Sequence, residues 1–199
     1  MTNQIDNGKS WTHRADNRER LIAAGYAVLS EKGYEATTVK EVAKVAGVSP
    51  GLFHYYFASK DELLLAVLRE SGNRYGQMMR NLGDSVSIEQ LPEATVRAVK
   101  ERAVQEPEWY RLRYELFALG LRNPAFLPVL GDLFKFIRQM LAGPLEHFTG
   151  GETGRAEALA AIVIACFDGL ALQQLAEPGL DLDKAYDLLL EIILNANKK

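Results

Sequence analysis

The sequence predicts an all-α fold. Apolar residues recur at helical spacing along the whole chain, without the alternation of a half-buried strand. Hydroxyl caps open many of these segments, and glycines or prolines close them. At 48% hydrophobic against 25% charged residues, 199 residues suffice to bury a core, which excludes a disordered chain. No apolar run approaches the roughly 20 residues of a membrane span, since the longest candidate, Ala158 to Phe167, stops at Asp168. The first 13 residues hold no hydrophobic secretory segment, and the single cysteine, Cys166, has no partner for an intramolecular disulfide. The expectation is a cytoplasmic protein with no membrane association.

Residues 1–13 read as a disordered polar tail. A first helix is expected over 14–32, with Leu21, Ala24, Gly25, Val28 and Leu29 on one face and Gly33 as its stop. Thr38-Val39-Lys40-Glu41 has the capping-box form and opens a two-turn helix that ends at Gly47. Ser49-Pro50-Gly51 starts another short helix, with a capping hydroxyl and a proline where its missing N–H costs nothing. Ser59-Lys60-Asp61-Glu62 is a second capping box and launches a longer helix to about Leu82. Beyond it, helices are expected near 89–105, 107–122, 124–148 with a kink at Pro144, 153–176 and 181–197.

Two short helices joined by Ala46-Gly47-Val48-Ser49 have the helix-turn-helix arrangement that lays the second helix in a DNA major groove. The charge agrees in sign. Net charge is −3 overall, but residues 1–60 carry +2 and residues 61–199 carry −5. EATTVKEVAKVAGVSPGLFHYYFASKDELL, with RLIAAGYAVLSEKGYEATT leading into it, resembles the N-terminal domain of the TetR family of bacterial transcriptional regulators over about residues 15–65. The resemblance implies a helix-turn-helix DNA-binding domain over 14–58, with the motif at about 38–57, and a C-terminal effector-binding and dimerisation domain over 59–199. It also implies a homodimer on a palindromic double-stranded operator, a small-molecule effector and no cofactor.

The N–H groups at the helix starts of Thr38 and Ser59-Lys60 suit backbone phosphate on either side of the short helix at 50–56, and residues near Ser49, Pro50 and Gly51 face the bases. Both hydroxyls also have the plain role of capping. Lys60 adds a point charge, and Lys40 is a candidate guanine or phosphate contact. In LFHYYF, Phe53 and Phe57 read as core, and His54 and Tyr55 as the exposed contacts. Family members usually carry tyrosine where His54 stands; an imidazole N–H still donates to phosphate.

Helix 107–122 has an apolar arc of more than half its circumference, with Arg113 near the middle of it. A guanidinium there needs a partner. One reading is an internal ion pair with Asp168 or Glu146, or an outward-reaching stem. The other makes Arg113 the anchor of an anionic or aromatic effector, in a site lined by Trp109, Tyr110, Tyr114, Phe117, Phe134 and Asp168, with Phe148 as further lining. An aromatic stripe at helical spacing is also what a plain core shows. Helices 153–176 and 181–197 carry more apolar residues than one face can hold, which predicts a homodimer through these two helices, with Ile193 as an interface position.

No catalytic or metal-binding residues are expected. His13, His54 and His147 are widely separated, and the H-E-x-x-H, G-x-G-x-x-G, phosphate-loop and G-x-S-x-G patterns are absent from the sequence. The reading is a repressor released by a small molecule. The alternatives are a DNA-binding dimer without effector, such as a nucleoid or division-site organiser, and an all-α ligand carrier or enzyme.

Overall fold

The computed structural model describes residues 7–124 and 126–198. All regular structure among them is helical: α1 (Asn7–Ala36), α2 (Val39–Ala46), α3 (Pro50–Tyr56), α4 (Lys60–Ser85), α5 (Leu91–Gln105), α6 (Pro107–Arg122), α7 (Leu127–Leu145), a 3-10 turn (Glu146–Thr149), α8 (Thr153–Ala176) and α9 (Asp183–Leu194). Helix α1 starts inside the stretch expected as a tail, and residues 1–6 lie outside the described residues. The chain forms two compact units that divide between Arg74 and Tyr75, within α4, rather than at its start as the expected boundary of 58/59 had it.

In the first unit the capping pattern of the sequence is the local structure. Thr38 accepts from the Glu41 N–H at 3.3 Å, Ser49 from Leu52 at 3.2 Å and Ser59 from Glu62 at 3.2 Å. The Glu62 carboxylate returns to the Ala58 N–H, while that of Glu41 turns away to pair with Lys32. Gly33 is non-helical at φ 77°, so α1 kinks where the sequence places its stop, and the buried Thr37 hydroxyl donates to the Gly33 carbonyl at 2.7 Å. Leu21, Leu29, Val42, Phe53, Phe57, Leu63 and Leu64 are fully buried. Gly25 permits the close crossing of α1 and α4: a Cβ there would meet the Leu63 side chain at 3.0 Å.

In the second unit α8 is the central helix and touches α5, α6, α7 and α9. Its Ala156, Leu159, Ala160, Val163 and Phe167 join Val96 and Val99 of α5, Ala142 and Leu145 of α7, and Tyr186, Leu189 and Ile193 of α9 in one core. By length and composition α8 could cross a bilayer, as the core helix of a folded domain also can. Asp168 interrupts its apolar pattern, so the sequence shows no unbroken run of spanning length there. Pro144 ends the regular part of α7, which passes into the 3-10 turn. The expectation that Ile193 lies at an interface fails, since it is 3% exposed and packs within its own chain.

Candidate functional site

Helices α2 and α3 meet through a turn that needs a left-handed residue. Gly47 supplies it at φ 66°, its N–H reaches Lys44 O at 3.1 Å, and the Val48 N–H reaches Ala43 O at 2.9 Å. Arg20 of α1 completes the end of α2 by donating from Nη2 to Ala46 O at 2.6 Å, where a cation also meets the negative end of the helix. Phe53 and Phe57, with ring centres 5.6 Å apart, fix α3 from beneath.

The outer surface is the complement of that packing. Thr38, Lys40, Ser49, Pro50, Gly51, His54 and Tyr55 are all exposed, Tyr55 at 60%. A buried aromatic pair on one side of α3 therefore turns its histidine and a tyrosine outward. Lys44, four residues after Lys40 and also exposed, extends the same side of α2. The sequence reading missed it, although the i,i+4 spacing of the two lysines was visible.

Lys60 is placed differently from the rest. Its ammonium donates to Tyr34 O at 2.6 Å and lies 4.1 Å from the Tyr34 ring centre, which ties the kinked end of α1 to the start of α4. The Tyr34 hydroxyl donates to Asp61. Burial first, and then that hydrogen bond, push its pKa well above the ordinary tyrosine value.

The residues proposed around Arg113 do come together in the second unit. Arg113 is 5% exposed and forms a two-point ion pair with Asp168, Nε to Oδ1 at 2.9 Å and Nη2 to Oδ2 at 3.0 Å. Tyr114 donates its hydroxyl to Asp168 O at 2.6 Å. The guanidinium carbon lies 5.3 Å from the Trp109 ring, 4.9 Å from Phe117 and 5.9 Å from Phe134. Tyr110 packs edge-on against Trp109 at 5.0 Å. Burial raises the pKa of Tyr110 and of Tyr114, so both phenols stay protonated.

An apolar cavity of about 170 Å³ lies elsewhere in the same unit, between the end of α4, the start of α5, the end of α7 and the inner faces of α8 and α9. Met79, Thr95, Met140, Leu145, Phe148 and Phe167 are among its walls. Phe148 was named as lining. Trp109, Tyr110, Arg113, Tyr114, Phe117, Phe134 and Asp168 do not line this cavity. Among the described residues no group of three or more His, Cys, Asp or Glu side chains is arranged to hold a metal.

The comparisons with known proteins agree with this arrangement. The family model described as bacterial regulatory proteins, tetR family, matches residues 21–67, and that of the tetracyclin repressor-like C-terminal domain matches residues 86–195. The transcriptional regulator BetI of Rhizobium meliloti is 46% identical over 52 residues, which is 26% of each chain. UidR of Escherichia coli K12 is 25% identical over 132 residues, 66% of this chain and 65% of UidR, so the alignment spans just under two thirds of that relative. A transcriptional regulator from Rhodococcus sp. Rha1 superposes with a TM-score of 0.75 at 27% identity, covering 89% of this chain and 95% of the other. The matches fall in a class of regulators rather than of enzymes. The chain belongs to the TetR family of bacterial regulatory proteins.

Proposed function

We propose that this regulator is a repressor that holds a palindromic operator as a homodimer and lets go when a small molecule enters its C-terminal unit. The observation that carries the DNA reading is the exposure of Thr38, Lys40, Ser49, Pro50, Gly51, His54 and Tyr55 along α2, α3 and their caps, while Phe53 and Phe57 are buried. Donors at Thr38, Lys60 and His54 would hold phosphate, and residues around Gly51 would approach base edges. An effector is supported by the apolar cavity, and an anionic or aromatic one by Arg80, Phe148 and Phe167 among its walls.

Pairing would run through α8 and α9, which leave Ile162, Leu172, Leu188 and Ile192 exposed. Helix α4 is continuous from the first unit into the second. A ligand that favours one position of its C-terminal end would therefore shift the population of dimers whose recognition helices match the half-site spacing. Such a protein works on DNA in the cytoplasm.

The test is selection of a bound sequence from a random DNA pool, followed by titration of that complex with small acids, amines and neutral compounds. A palindromic consensus and release by at least one class are expected. Binding without sequence preference would reject the operator reading, and binding that no compound reverses would reject release.

A further inference from the structure

Arg102 of α5 is a buried cation that the sequence reading passed over. Its side chain is 9% exposed, and its guanidinium carbon lies 4.3 Å from the Tyr75 ring centre and 4.0 Å from that of Trp109, in the angle between two rings whose centres are 6.2 Å apart. The rings attract the cation, but its N–H groups still need hydrogen-bond acceptors. Nε donates to Glu106 at 3.0 Å. Nη1 is buried with no hydrogen-bond partner among the described residues, and the same holds for Nε1 of Trp109, the ring against which it stacks. Two buried donors left open side by side are costly, because each has given up water for nothing.

The electrostatics favour an anion. Arg113 is matched by Asp168 within the interior, whereas among the described residues Arg102 pairs only with Glu106, whose side chain is 51% exposed and keeps its water. The interior therefore holds an excess of positive charge on Arg102.

The position is equally specific. On α4, Tyr75 lies one turn before the cavity residue Met79. On α5, Arg102 lies six residues after the cavity residue Val96, about 9 Å along the helix axis. On α8, the cavity residue Phe167 directly precedes Asp168. The open donors thus belong to the next layer of the same helices, one turn from the cavity walls on α4 and about two turns from them on α5. At about 170 Å³ it is of the size that takes a single ring or a short alkyl chain.

We propose that Arg102 Nη1 and Trp109 Nε1 form the polar end of a binding site for a small carboxylate-headed amphiphile, whose apolar part fills the cavity walled by Met79, Leu145 and Phe167. This rests on the effector reading above and names both the class of effector and its anchor. The carboxylate takes one charge-assisted hydrogen bond from the arginine and one from the indole.

The test uses the full chain and three probes with the same tail: octanoate, octanol and octylammonium. The chain has two tryptophans, and Trp11→Phe assigns the indole N–H signals in the proton–nitrogen spectrum. Octanoate is expected to move the Trp109 indole proton downfield saturably and to bind about tenfold more tightly than octanol. Arg102→Gln should bring that ratio close to one, and Trp109→Phe should weaken octanoate several-fold with the stack preserved.

The proposal is overturned if octanoate leaves the indole signal in place, as a permanently bound water would cause, if octylammonium binds better, or if Arg102→Gln keeps the preference. Should Arg102→Gln fail to fold, the three probes on the wild type decide. Release from DNA is measured in parallel. Octanoate that binds at Trp109 without releasing DNA keeps this site and rejects octanoate as an inducer. Release by another compound with the indole unmoved keeps the repressor and rejects the site.

Discussion

Arg113 and Asp168, on α6 and α8, meet in two parallel hydrogen bonds of 2.9 and 3.0 Å inside the second unit. The pair joins the central helix to the helix with the widest apolar arc, and the Tyr114 hydroxyl bonds to the backbone of the same aspartate. Its geometry meets the condition under which two buried charges tolerate the loss of water. Removing one partner and removing both should therefore differ. Asp168→Ala leaves a buried guanidinium uncompensated and should cost about 3 kcal/mol, whereas Arg113→Met with Asp168→Leu should recover most of that loss. Urea unfolding of the wild type, both single variants and the double variant measures the coupling. A double variant as unstable as the sum of the singles would show that the pair contributes no coupling.

Gly47 has two reasons to be glycine: its φ of 66°, and Arg20 Nη2, which a Cβ would meet at 2.8 Å. Gly47→Ala should destabilise the first unit by about 1–2 kcal/mol. It should also weaken DNA binding, because it disturbs the angle between α2 and α3. Gly72, where a Cβ would meet nothing, is the control: Gly72→Ala within α4 should be neutral or slightly stabilising. Thermal unfolding compares the two, and equal effects would reject the argument.

The two lysines named for DNA contact differ in their surroundings. Lys40 is exposed on α2, whereas Lys60 donates to Tyr34 O at 2.6 Å and to Glu35 O at 3.4 Å, which leaves one of its three N–H groups for phosphate. Lys60→Ala should lose about 1 kcal/mol of stability and weaken binding to all DNA alike, with the salt dependence falling by about one counterion. Lys40→Ala should relax preference at one operator position and leave the fold intact. Affinities for the operator, single-base variants and random DNA at several salt concentrations separate these outcomes. Uniform losses for both lysines would remove Lys40 from base recognition.

The first unit was largely legible because its signals are local. A capping hydroxyl, a proline at the first helical position and a left-handed glycine act within four residues, so Thr38, Ser49, Pro50 and Gly47 could be placed from spacing alone. The boundaries of α6 and α8 were legible for the same reason. The Arg113–Asp168 pair was visible as one of two readings, since each charge interrupts an apolar pattern. The cavity was not legible, because its walls come from five helices and no window of sequence contains them. Arg102 was missed because it sits in an ordinary charged run, VKERAVQE, and only the rings of α4 and α6 make it interior. Ile193 was misassigned because α9 is apolar on several sides, so periodicity does not say which side turns inward.

Alkaline pH should loosen the second unit. Burial raises the pKa of Tyr75, Tyr110, Tyr114 and Tyr186 above the ordinary value of about 10. The folded state thus holds its phenol protons to higher pH than the unfolded chain does. The stability this gives is full below about pH 10 and is lost as pH rises through the folded values. Tyr114→Phe should lose about 1 kcal/mol at neutral pH with its bond to Asp168 O, and its stability should fall less steeply above pH 10. Tyrosinate absorbance against pH, with unfolding followed by circular dichroism, tests both. Tyrosines that ionise freely before unfolding would contradict the burial argument.

The apolar surface left on α8 and α9 leads to the last prediction. Ile162 and Leu172 of α8 and Leu188 and Ile192 of α9 are large side chains 46–57% exposed, whereas Ile193 is in the core. Leu188 and Ile192 are four residues apart and so share one side of α9. A surface of this kind is costly to leave in water and fits a two-fold partner that brings the same residues. Light scattering should give twice the 22.1 kDa of one chain in the absence of DNA and effector. Leu188→Asp with Ile192→Asp should give folded monomers with unchanged helicity that hold the operator far more weakly. Ile193→Asp should instead lower the unfolding temperature sharply, because it buries an unpaired charge. A folded monomeric wild type at micromolar concentration would defeat the dimer. An aspartate pair that leaves the mass doubled would move the interface off α9.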